Sequence, residues 1–367
     1  MKKILILANN SLWVYNLRKE LIIELLKNRY DVYFTTIEDN KDRMVKKLVN
    51  LGAKHIQIFF NRRNINPLEE LRVIKEYRKI MRELNPDIVL TYTIKPNIYG
   101  TYVASKFDKP VIINITGLGS SFFKPILKNV VLKLYKYACK RATFVFFQNQ
   151  FNYSLFVSNK IVLPNKAKII PGSGVNIEKF KPIENEKQDE IVRFLFIGRI
   201  MREKGIEEYL KAADVIAKKY SNVEFQILGP FEEEEYRDII LSNKNPKIKY
   251  LGISDDVRNQ IKEVDCIINP SYHEGMSNVL LEAGAMGKPL IASDIPGCRE
   301  IVVDGYNGFL FEPKNVDSLI NKVELFIHLP ENERKKMGEN SRKKIERDFN
   351  RNIVVKEYLK IIKKIIE

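Results

Sequence analysis

Two cations near the middle of the chain have the types and the spacing to bind a phosphorylated ligand. Arg199 and Lys204 follow an apolar segment that ends at Gly198, and Gly205 comes directly after them. Arginine grips a phosphate with a planar fork and lysine adds a point charge, while glycines let a ligand approach the backbone closely. A diphosphate that leaves as its bond breaks gains negative charge, which these cations would stabilise. Taken alone, two such cations are more typical of a solvated surface than of a site.

A second group of polar residues, between 269 and 283, favours a binding site over a solvated surface. Glu274 stands between an apolar segment and a glycine, and Glu282 follows in the helix predicted to begin here. Carboxylates accept hydrogen bonds from hydroxyls, so Glu274 is predicted to hold a sugar and Glu282 a ribose. The first backbone amides of such a helix would point at an anion. The residues that would supply them are Gly275, Met276, Ser277 and Asn278.

The elements that must position these residues follow from an alternation of short apolar runs with longer helical patterns. Predicted strands cover residues 3–8, 31–36, 87–91, 110–114 and 143–147, and then 191–197, 223–228, 247–250, 265–269 and 289–292. Helical patterns lie between them, one of them over residues 67–84 behind the cap Asn66. This alternation predicts βαβ units and parallel sheets, in an α/β fold of two doubly wound, Rossmann-like domains facing a central cleft.

The alternation of predicted strands and helices restarts after residues 171–190. This segment is polar and rich in glycine and proline, so it is the predicted linker between two domains. We therefore expect an N-terminal domain over residues 1–175 and a C-terminal domain over residues 176–350. The remaining helix, residues 351–367, is separated by a predicted break at 348–350 and is expected to cross back to the N-terminal domain.

These motifs carry a resemblance to a known family. Residues 198–205 and the segment 270–282 resemble the donor motifs of the retaining GT-B glycosyltransferases of family 4. The resemblance implies a nucleoside diphosphate sugar, usually a UDP-sugar, as donor substrate, no metal or other cofactor, and retention at the anomeric carbon. It also implies that Arg199 and Lys204 bind the donor diphosphate and that Glu274 orients the sugar.

A narrower resemblance concerns the first half of the chain. Residues 92–100 and 116–119 resemble the branch that extends undecaprenyl-diphosphate-linked glycans, including N-acetylgalactosaminyltransferases. It implies a lipid-diphosphate-linked saccharide as acceptor. Lys95 stands where many members have a histidine, and is expected beside the donor sugar or the acceptor phosphate, although a lysine before Pro96 also fits an ordinary loop. The other residues expected at the reaction centre are Thr116 and Gly117 beside the donor, and Asn9, Ser11 and Arg18 on the acceptor.

Charge is unevenly distributed along the chain, whose formal net charge is +16. Residues 1–180 contain 31 basic and 13 acidic residues, so this half is expected to meet a negative partner.

The basic, apolar segment 122–141 is predicted either to lie on an anionic membrane or to be a core helix with a solvated basic face. With no apolar run of the ~18 residues that cross a bilayer, the protein is expected in the cytoplasm, peripheral on the inner face of the cell membrane. The three scattered cysteines have no metal-site spacing and fit a reducing compartment.

Two other functions remain open on the sequence. A sugar-nucleotide epimerase of the same architecture would need additional acids and bases, yet residues 95–177 contain a single carboxylate, Asp108. The same scarcity favours attack on the same face of the sugar over a covalent intermediate. A basic nucleic-acid-binding protein would need an exposed aromatic and basic surface or a reading helix, and neither pattern is visible, so no nucleic-acid partner is expected.

Overall fold

A computed structural model describes residues 1–59, 67–117, 125–184 and 189–366 of the chain. The expected cap Asn66, the pair Leu118 and Gly119, and part of the expected linker lie outside these ranges. The described chain divides into two compact units, one of residues 1–173 with 351–367 and one of residues 174–350. None of the helices within the described ranges is long and apolar enough to cross a bilayer.

The first unit alternates strands and helices as the apolar pattern predicts. Its strands are β1 (Lys3–Leu7), β2 (Asp31–Thr36), β3 (Lys54–Gln57), β4 (Ile88–Tyr92), β5 (Val111–Ile115), β6 (Phe144–Phe147) and β7 (Ala167–Ile169). Its helices are α1 (Ser11–Lys27), α2 (Arg43–Asn50), α3 (Pro67–Leu84), α4 (Thr101–Ser105), α5 (Pro125–Arg141), α6 (Gln150–Ser158) and, from the end of the chain, α13 (Arg351–Ile366). A π-helix, Pro96–Gly100, leads directly into α4.

These strands form one parallel sheet in the order β3-β2-β1-β4-β5-β6-β7. Successive residues point to opposite faces, so Leu5 contributes to one hydrophobic core and Ile6 to the other. Helices α3, α4 and α5 cover the first face, and α1, α2 and α13 cover the second. The chain order reverses beside β1, and ligands of such sheets bind at the carboxyl ends of the strands near this point.

The second unit repeats the architecture. Its strands are β8 (Val192–Ile197), β9 (Val223–Leu228), β10 (Ile248–Tyr250), β11 (Cys266–Asn269), β12 (Leu290–Ser293) and β13 (Gly308–Phe311). Its helices are α7 (Ile206–Lys219), α8 (Glu235–Leu241), α9 (Arg258–Lys262), α10 (Asn278–Ala285), α11 (Val316–His328) and α12 (Glu331–Asp348). The sheet is parallel, in the order β10-β9-β8-β11-β12-β13. Two doubly wound domains are thus confirmed.

The sequence missed three short strands, β3, β7 and β13. The sequence of β3, Lys-His-Ile-Gln, contains one aliphatic residue, and its side chains are only partly buried because the strand lies at an edge of the sheet. The C-terminal helical stretch also has a second break, since Leu329 and Pro330 separate α11 from α12. Proline cannot continue the hydrogen bonding of the preceding helix.

Helix α13 is firmly attached to the first unit. The buried Arg351 guanidinium donates to the backbone oxygens of Ser173 and Asn16 and lies 2.7 Å from the Glu20 carboxylate. Further along the same helix, the Tyr358 hydroxyl accepts a short hydrogen bond from the Asn114 side-chain amide in β5. The last helix of the chain is therefore part of the same core as its first strand.

Candidate functional site

The segment after β8 approaches the segment after β11 with almost no space between their backbones. A short 3₁₀ turn, Arg202–Lys204, leads into Gly205, which adopts a left-handed conformation with φ of 73°. A Cβ atom at this position would lie 2.1 Å from the carbonyl oxygen of Pro270. Only glycine satisfies both the conformation and the approach, so Gly205 places Lys204 against the loop that carries Glu274.

Lys204 and Glu274 form the centre of this loop pair. The Lys204 ammonium lies 2.5 Å from a Glu274 carboxylate oxygen, and the Ser271 hydroxyl donates to the same oxygen at 2.8 Å. Their side chains are 22% and 15% exposed, so both are withdrawn from bulk water but still reachable. The arrangement joins a cation suited to phosphate to a carboxylate suited to sugar hydroxyls.

The start of α10 follows directly after Glu274. The Ser277 hydroxyl caps the helix by accepting from the Leu280 amide and also accepts a hydrogen bond from Asn269 at 2.5 Å. The Ser277 amide donates to the Gly297 carbonyl at 3.0 Å. The Ser277 amide is therefore engaged by the turn at Gly297, and its contact with an anion stays a prediction.

The other amides of the group differ in their surroundings. Within the described residues, no hydrogen bond engages the amides of Met276 and Asn278. Gly275 lies partly buried between Glu274 and the helix. The turn at Gly297 also limits space, because a Cβ atom there would lie 2.9 Å from the Glu274 carbonyl oxygen. Two amides at the start of α10 thus form no hydrogen bond within the described chain.

The remaining residues predicted for this site are less tightly gathered. Gly198 follows β8, and the Arg199 guanidinium next to it is 46% exposed and lies 3.6 Å from the Glu232 carboxylate. Glu282 is partly buried in the second turn of α10. The structure therefore pairs Lys204 with Glu274. Arg199 is at the exposed rim of the site, beside Glu232, an acidic residue that the sequence did not suggest as its neighbour.

Side chains that no sequence motif indicated hold the loop that carries Glu274 in place. The Tyr272 hydroxyl donates to both oxygens of the buried Glu208 carboxylate, at 2.8 and 3.0 Å, and the Tyr272 amide donates to the Glu203 carbonyl. The His273 imidazole lies 3.1 Å from the Glu203 carboxylate. Burial, reinforced by Glu208, raises the pKa of Tyr272, so the phenol keeps its proton for this hydrogen bond. No local pattern links residues 203–208 to residues 272–273, so no sequence signal could have identified the contacts.

In the first unit, the residues after β1 are held by the segment after β2. Asn10 caps α1 by accepting from the Trp13 amide, and the Glu38 carboxylate accepts from the Asn10 side chain and the Ser11 amide. Ser11 is almost fully buried and Asn9 partly so. Asn9 and Ser11 therefore lie at the carboxyl end of the first strand, and the Ser11 amide is already engaged.

Arg18, on α1, is a buried cation. Its side chain is 5% exposed, and its guanidinium carbon lies 4.3 Å from the centre of the Tyr92 ring at the end of β4. It donates a hydrogen bond to the Leu17 carbonyl. No carboxylate among the described residues forms an ion pair with it. An arginine buried without a counter-charge is costly unless a ligand supplies the charge.

Lys95 also lies after β4, where the sequence placed it, but it has an unexpected partner. Its ammonium is 2.9 Å from the Glu70 carboxylate, and the two side chains are 12% and 14% exposed. A carboxylate thus lies beside Lys95 although the sequence after Lys95 contains few, because α3 brings Glu70 to it from the preceding segment. Thr116 and Gly117 follow β5, and residues 118–124 after them lie outside the described ranges.

Helix α5 carries the basic segment that the sequence indicated. Tyr135 and Cys139 face the core, while Lys133, Lys136 and Lys140 are exposed. Two apolar side chains, Val130 and Tyr137, are also exposed on this helix. The structure thus shows a core helix whose outer face is basic and partly apolar.

Comparison with known proteins gives the family. The model "Glycosyl transferase 4-like" matches residues 3–149, and the model "Glycosyl transferases group 1" matches residues 176–344. A Campylobacter jejuni N,N'-diacetylbacillosaminyl-diphospho-undecaprenol alpha-1,3-N-acetylgalactosaminyltransferase is 29% identical, covering 96% of each chain. An Escherichia coli UDP-Gal:alpha-D-GlcNAc-diphosphoundecaprenol alpha-1,3-galactosyltransferase is 28% identical, covering 78% of each chain.

Solved structures show the same fold. A glycosyltransferase from Rickettsia africae superposes with a TM-score of 0.77 at 22% identity, covering 100% of this chain and 99% of that one. HepE from Anabaena, solved with UDP and glucose, superposes with a TM-score of 0.79 at 18% identity, covering 99% and 100%. These likenesses confirm the GT-B fold. The chain belongs to the glycosyltransferases, with a 4-like domain in its first unit and a group 1 domain in its second.

Proposed function

We propose that the chain transfers a hexose or N-acetylhexosamine from a UDP-sugar to a lipid-diphosphate-linked saccharide in cell-surface glycan assembly, with retention at the anomeric carbon and without a metal ion. The observation that carries the proposal is the contact of Lys204 with Glu274 at the start of α10. A cation, a carboxylate and helix amides at one point match the phosphate and the hydroxyls of a nucleotide sugar.

On the donor side, Lys204 and the amides of Met276 and Asn278 take the diphosphate, and Arg199 reaches it from the rim. Glu274 accepts from hydroxyls of the transferred sugar, and Glu282 from the ribose. As the glycosidic bond to phosphate breaks, negative charge builds on the departing oxygen, and fixed positive groups lower the energy of that state. Within the described ranges, no three His, Cys, Asp or Glu side chains are grouped so that they could hold a metal ion.

On the acceptor side, Arg18 is the main support. A buried guanidinium that forms no ion pair with a described carboxylate has the chemistry to receive an acceptor diphosphate. Asn9 and Ser11 lie at the carboxyl end of β1 in the same sheet. The names of the Campylobacter jejuni and Escherichia coli relatives specify undecaprenol diphosphate acceptors, which agrees with this chemistry.

The reaction is proposed to proceed by attack on the face that the leaving group departs from. The acceptor hydroxyl oxygen bonds to the anomeric carbon, the bond from that carbon to the phosphate oxygen breaks, and the hydroxyl proton passes to the departing phosphate. No protein nucleophile is used. The products are the extended glycan, retained at the anomeric centre, and UDP.

The outer face of α5 is proposed to rest on the inner face of the cell membrane, where a lipid-linked acceptor is presented. Three exposed lysines and two exposed apolar side chains suit an anionic interface. Each cation near such a surface adds about 1 kcal/mol.

The decisive experiment is transfer from a panel of UDP- and GDP-sugars to synthetic lipid-diphosphate saccharides, with NMR of the product. We expect one UDP-sugar to give an α-linked product from an α-donor in the presence of EDTA. Inversion, or a strict metal requirement, contradicts the corresponding part of the proposal. Turnover of a UDP-sugar to its epimer without an acceptor would identify an epimerase instead.

A further inference from the structure

The chain leaves β4 through a strained segment. Thr93, a β-branched residue, adopts φ of 71°, a conformation that costs such residues energy and is rare for them. Three residues further on, the backbone enters the π-helix Pro96–Gly100, an irregularity frequent at functional sites. Lys95 stands between the two, so both irregularities act on the direction in which its side chain leaves the backbone.

The surroundings hold this segment in place. Asn97, buried in the π-helix, accepts from the Thr91 hydroxyl at 2.8 Å and donates to the Asn114 carbonyl at 2.9 Å, which ties it to β4 and β5. A Cβ atom at Gly100 would lie 2.6 Å from the Leu7 side chain, so the helix approaches β1 as closely as glycine permits. The strain is therefore maintained by specific contacts on both sides of Lys95.

Glu70 is the side chain that receives Lys95. It reaches from α3, and one of its carboxylate oxygens lies 2.9 Å from the ammonium. The other oxygen, Oε2, is buried and has no hydrogen-bond partner among the described residues. Burial together with the Glu70 charge raises the pKa of Tyr99, on the π-helix, to about 12. The phenol stays neutral, so Glu70 meets a cation and uncharged groups.

Stability alone does not explain this arrangement. Burying an ion pair costs desolvation that its attraction often fails to offset, so such a pair is weak support for a fold. A strained residue adds a further cost. The ion pair and the strained backbone both restrict the Lys95 side chain to one position. An unrestrained lysine side chain would sample many rotamers. Ordering a side chain in advance removes an entropic cost from binding and from the transition state.

We propose that Glu70 is a positioning residue for the transfer reaction, which fixes the Lys95 ammonium where it meets an anionic or hydroxyl oxygen of the substrates. This inference rests on the proposed function, because it assigns Lys95 to the reaction centre. Glu70 acts through Lys95 and touches neither substrate.

A double-mutant cycle tests the dependence. We compare kcat/KM for the wild type, Glu70→Gln, Lys95→Met and the double variant, with Glu69→Gln as the matched control, since Glu69 is the neighbouring carboxylate and pairs with the exposed Arg72. Glu70→Gln is expected to lose about tenfold, and to lose nothing further in the Lys95→Met background. The control is expected within about twofold of wild type. Equal losses in both backgrounds, or a fully active Glu70→Gln enzyme, would overturn the inference.

A second measurement does not depend on activity. Lysines of the native protein are labelled with an amine-reactive ester, and the rate at Lys95 is followed by peptide mass spectrometry. We expect slow labelling in the wild type and in Glu69→Gln, and labelling at least about fivefold faster in Glu70→Gln, because an ion-paired, buried ammonium is a poor nucleophile. If Glu70→Gln does not fold, Glu70→Asp replaces it, since a shorter carboxylate keeps the charge but misplaces it.

These two readouts separate the inference from the proposed function. A wild-type enzyme that transfers no sugar while Glu70→Gln still releases Lys95 for labelling would refute the function but not the pairing. An active wild type whose Lys95 labels equally fast in all variants would refute the positioning role of Glu70.

Discussion

The Lys204 ammonium and the Glu274 carboxylate lie 2.5 Å apart although 70 residues separate them in the chain. The close approach of Gly205 to Pro270 makes this contact possible. Because the two side chains are mostly buried, their charges are less screened than those of an exposed pair. A donor that binds here must exchange part of this pairing for contacts of its own, with phosphate on the lysine and hydroxyls on the carboxylate.

Removing either member of this pair should abolish most activity. Lys204→Ala and Glu274→Ala are each expected to lower kcat/KM by about a hundredfold or more, because each removes a charged contact to the donor. The double variant should be little worse than the more impaired single variant. The measurement is transfer at saturating acceptor, and Lys211→Ala, on the exposed side of α7, is the control. A fully active Glu274→Ala enzyme would refute the site.

Arg18→Met should separate stability from function. Arg18 forms no ion pair with a carboxylate of the described residues, so replacing this buried cation with an apolar side chain is expected to leave thermal stability unchanged or to raise it. The same change should raise the KM for a lipid-diphosphate acceptor by about tenfold or more and leave donor binding intact. Differential scanning fluorimetry and acceptor titrations check the two halves. Lys27→Met, at the exposed end of the same helix, controls for loss of charge. An unchanged acceptor KM would rule out Arg18 as the acceptor contact.

Two glycines with similar conformations should respond very differently to alanine. Gly205 and Gly252 have φ of 73° and 79°. A Cβ atom at Gly205 would collide with the Pro270 carbonyl, whereas a Cβ atom at Gly252 would meet no heavy atom of the described chain within 4 Å. Gly252→Ala should cost only the strain of a left-handed alanine, about 1–2 kcal/mol. Gly205→Ala should cost clearly more in urea unfolding and should weaken donor binding. Equal costs would show that the 204–205 turn can move away from Pro270.

The three cysteines should be inert in the native protein. Burial raises the pKa of Cys139 to about 12 and holds the pKa of Cys266 and Cys298 well above the ordinary thiol value. At pH 8 the native thiolate fraction is negligible, so a disulfide reagent should react only after denaturation, with three thiols. Because the unfolded thiols lose their protons at lower pH than the native ones, stability should fall as pH rises above about 9. Rapid reaction of a native cysteine would show that the core around it opens.

The basic face of α5 should matter for membranes and not for chemistry. Changing Lys133, Lys136 and Lys140 together to glutamate is expected to release the protein from vesicles that contain phosphatidylglycerol, in a sedimentation assay at low salt. Transfer to a water-soluble acceptor analogue should stay within about twofold of wild type, since these side chains are exposed on the outer face of α5. Unchanged vesicle binding would place the membrane contact elsewhere.

Much of the donor site is local in the sequence. The apolar run of β11, the turn at Glu274 and Gly275 and the helix that carries Glu282 follow one another without interruption, so short-range propensities suffice to put both glutamates at one end of a strand. The same holds for the strands of the two sheets, whose apolar runs are buried on both faces and stand out from the helices. The edge strand β3 is only partly buried and contains no apolar run, so the sequence does not predict it.

The sequence alone therefore determined the fold class, the two parallel sheets and the residue types of the loop that carries Glu274, because hydrophobic periodicity and turn chemistry are properties of neighbouring residues. Only the tertiary structure decided which charges meet: Lys204 with Glu274, Lys95 with Glu70, and Arg18 with the Tyr92 ring and no carboxylate within the described chain. Such contacts depend on the order of strands in the sheet and on how closely helices pack against them. Distances of a few ångströms between remote residues are set by that packing, and no local pattern encodes them.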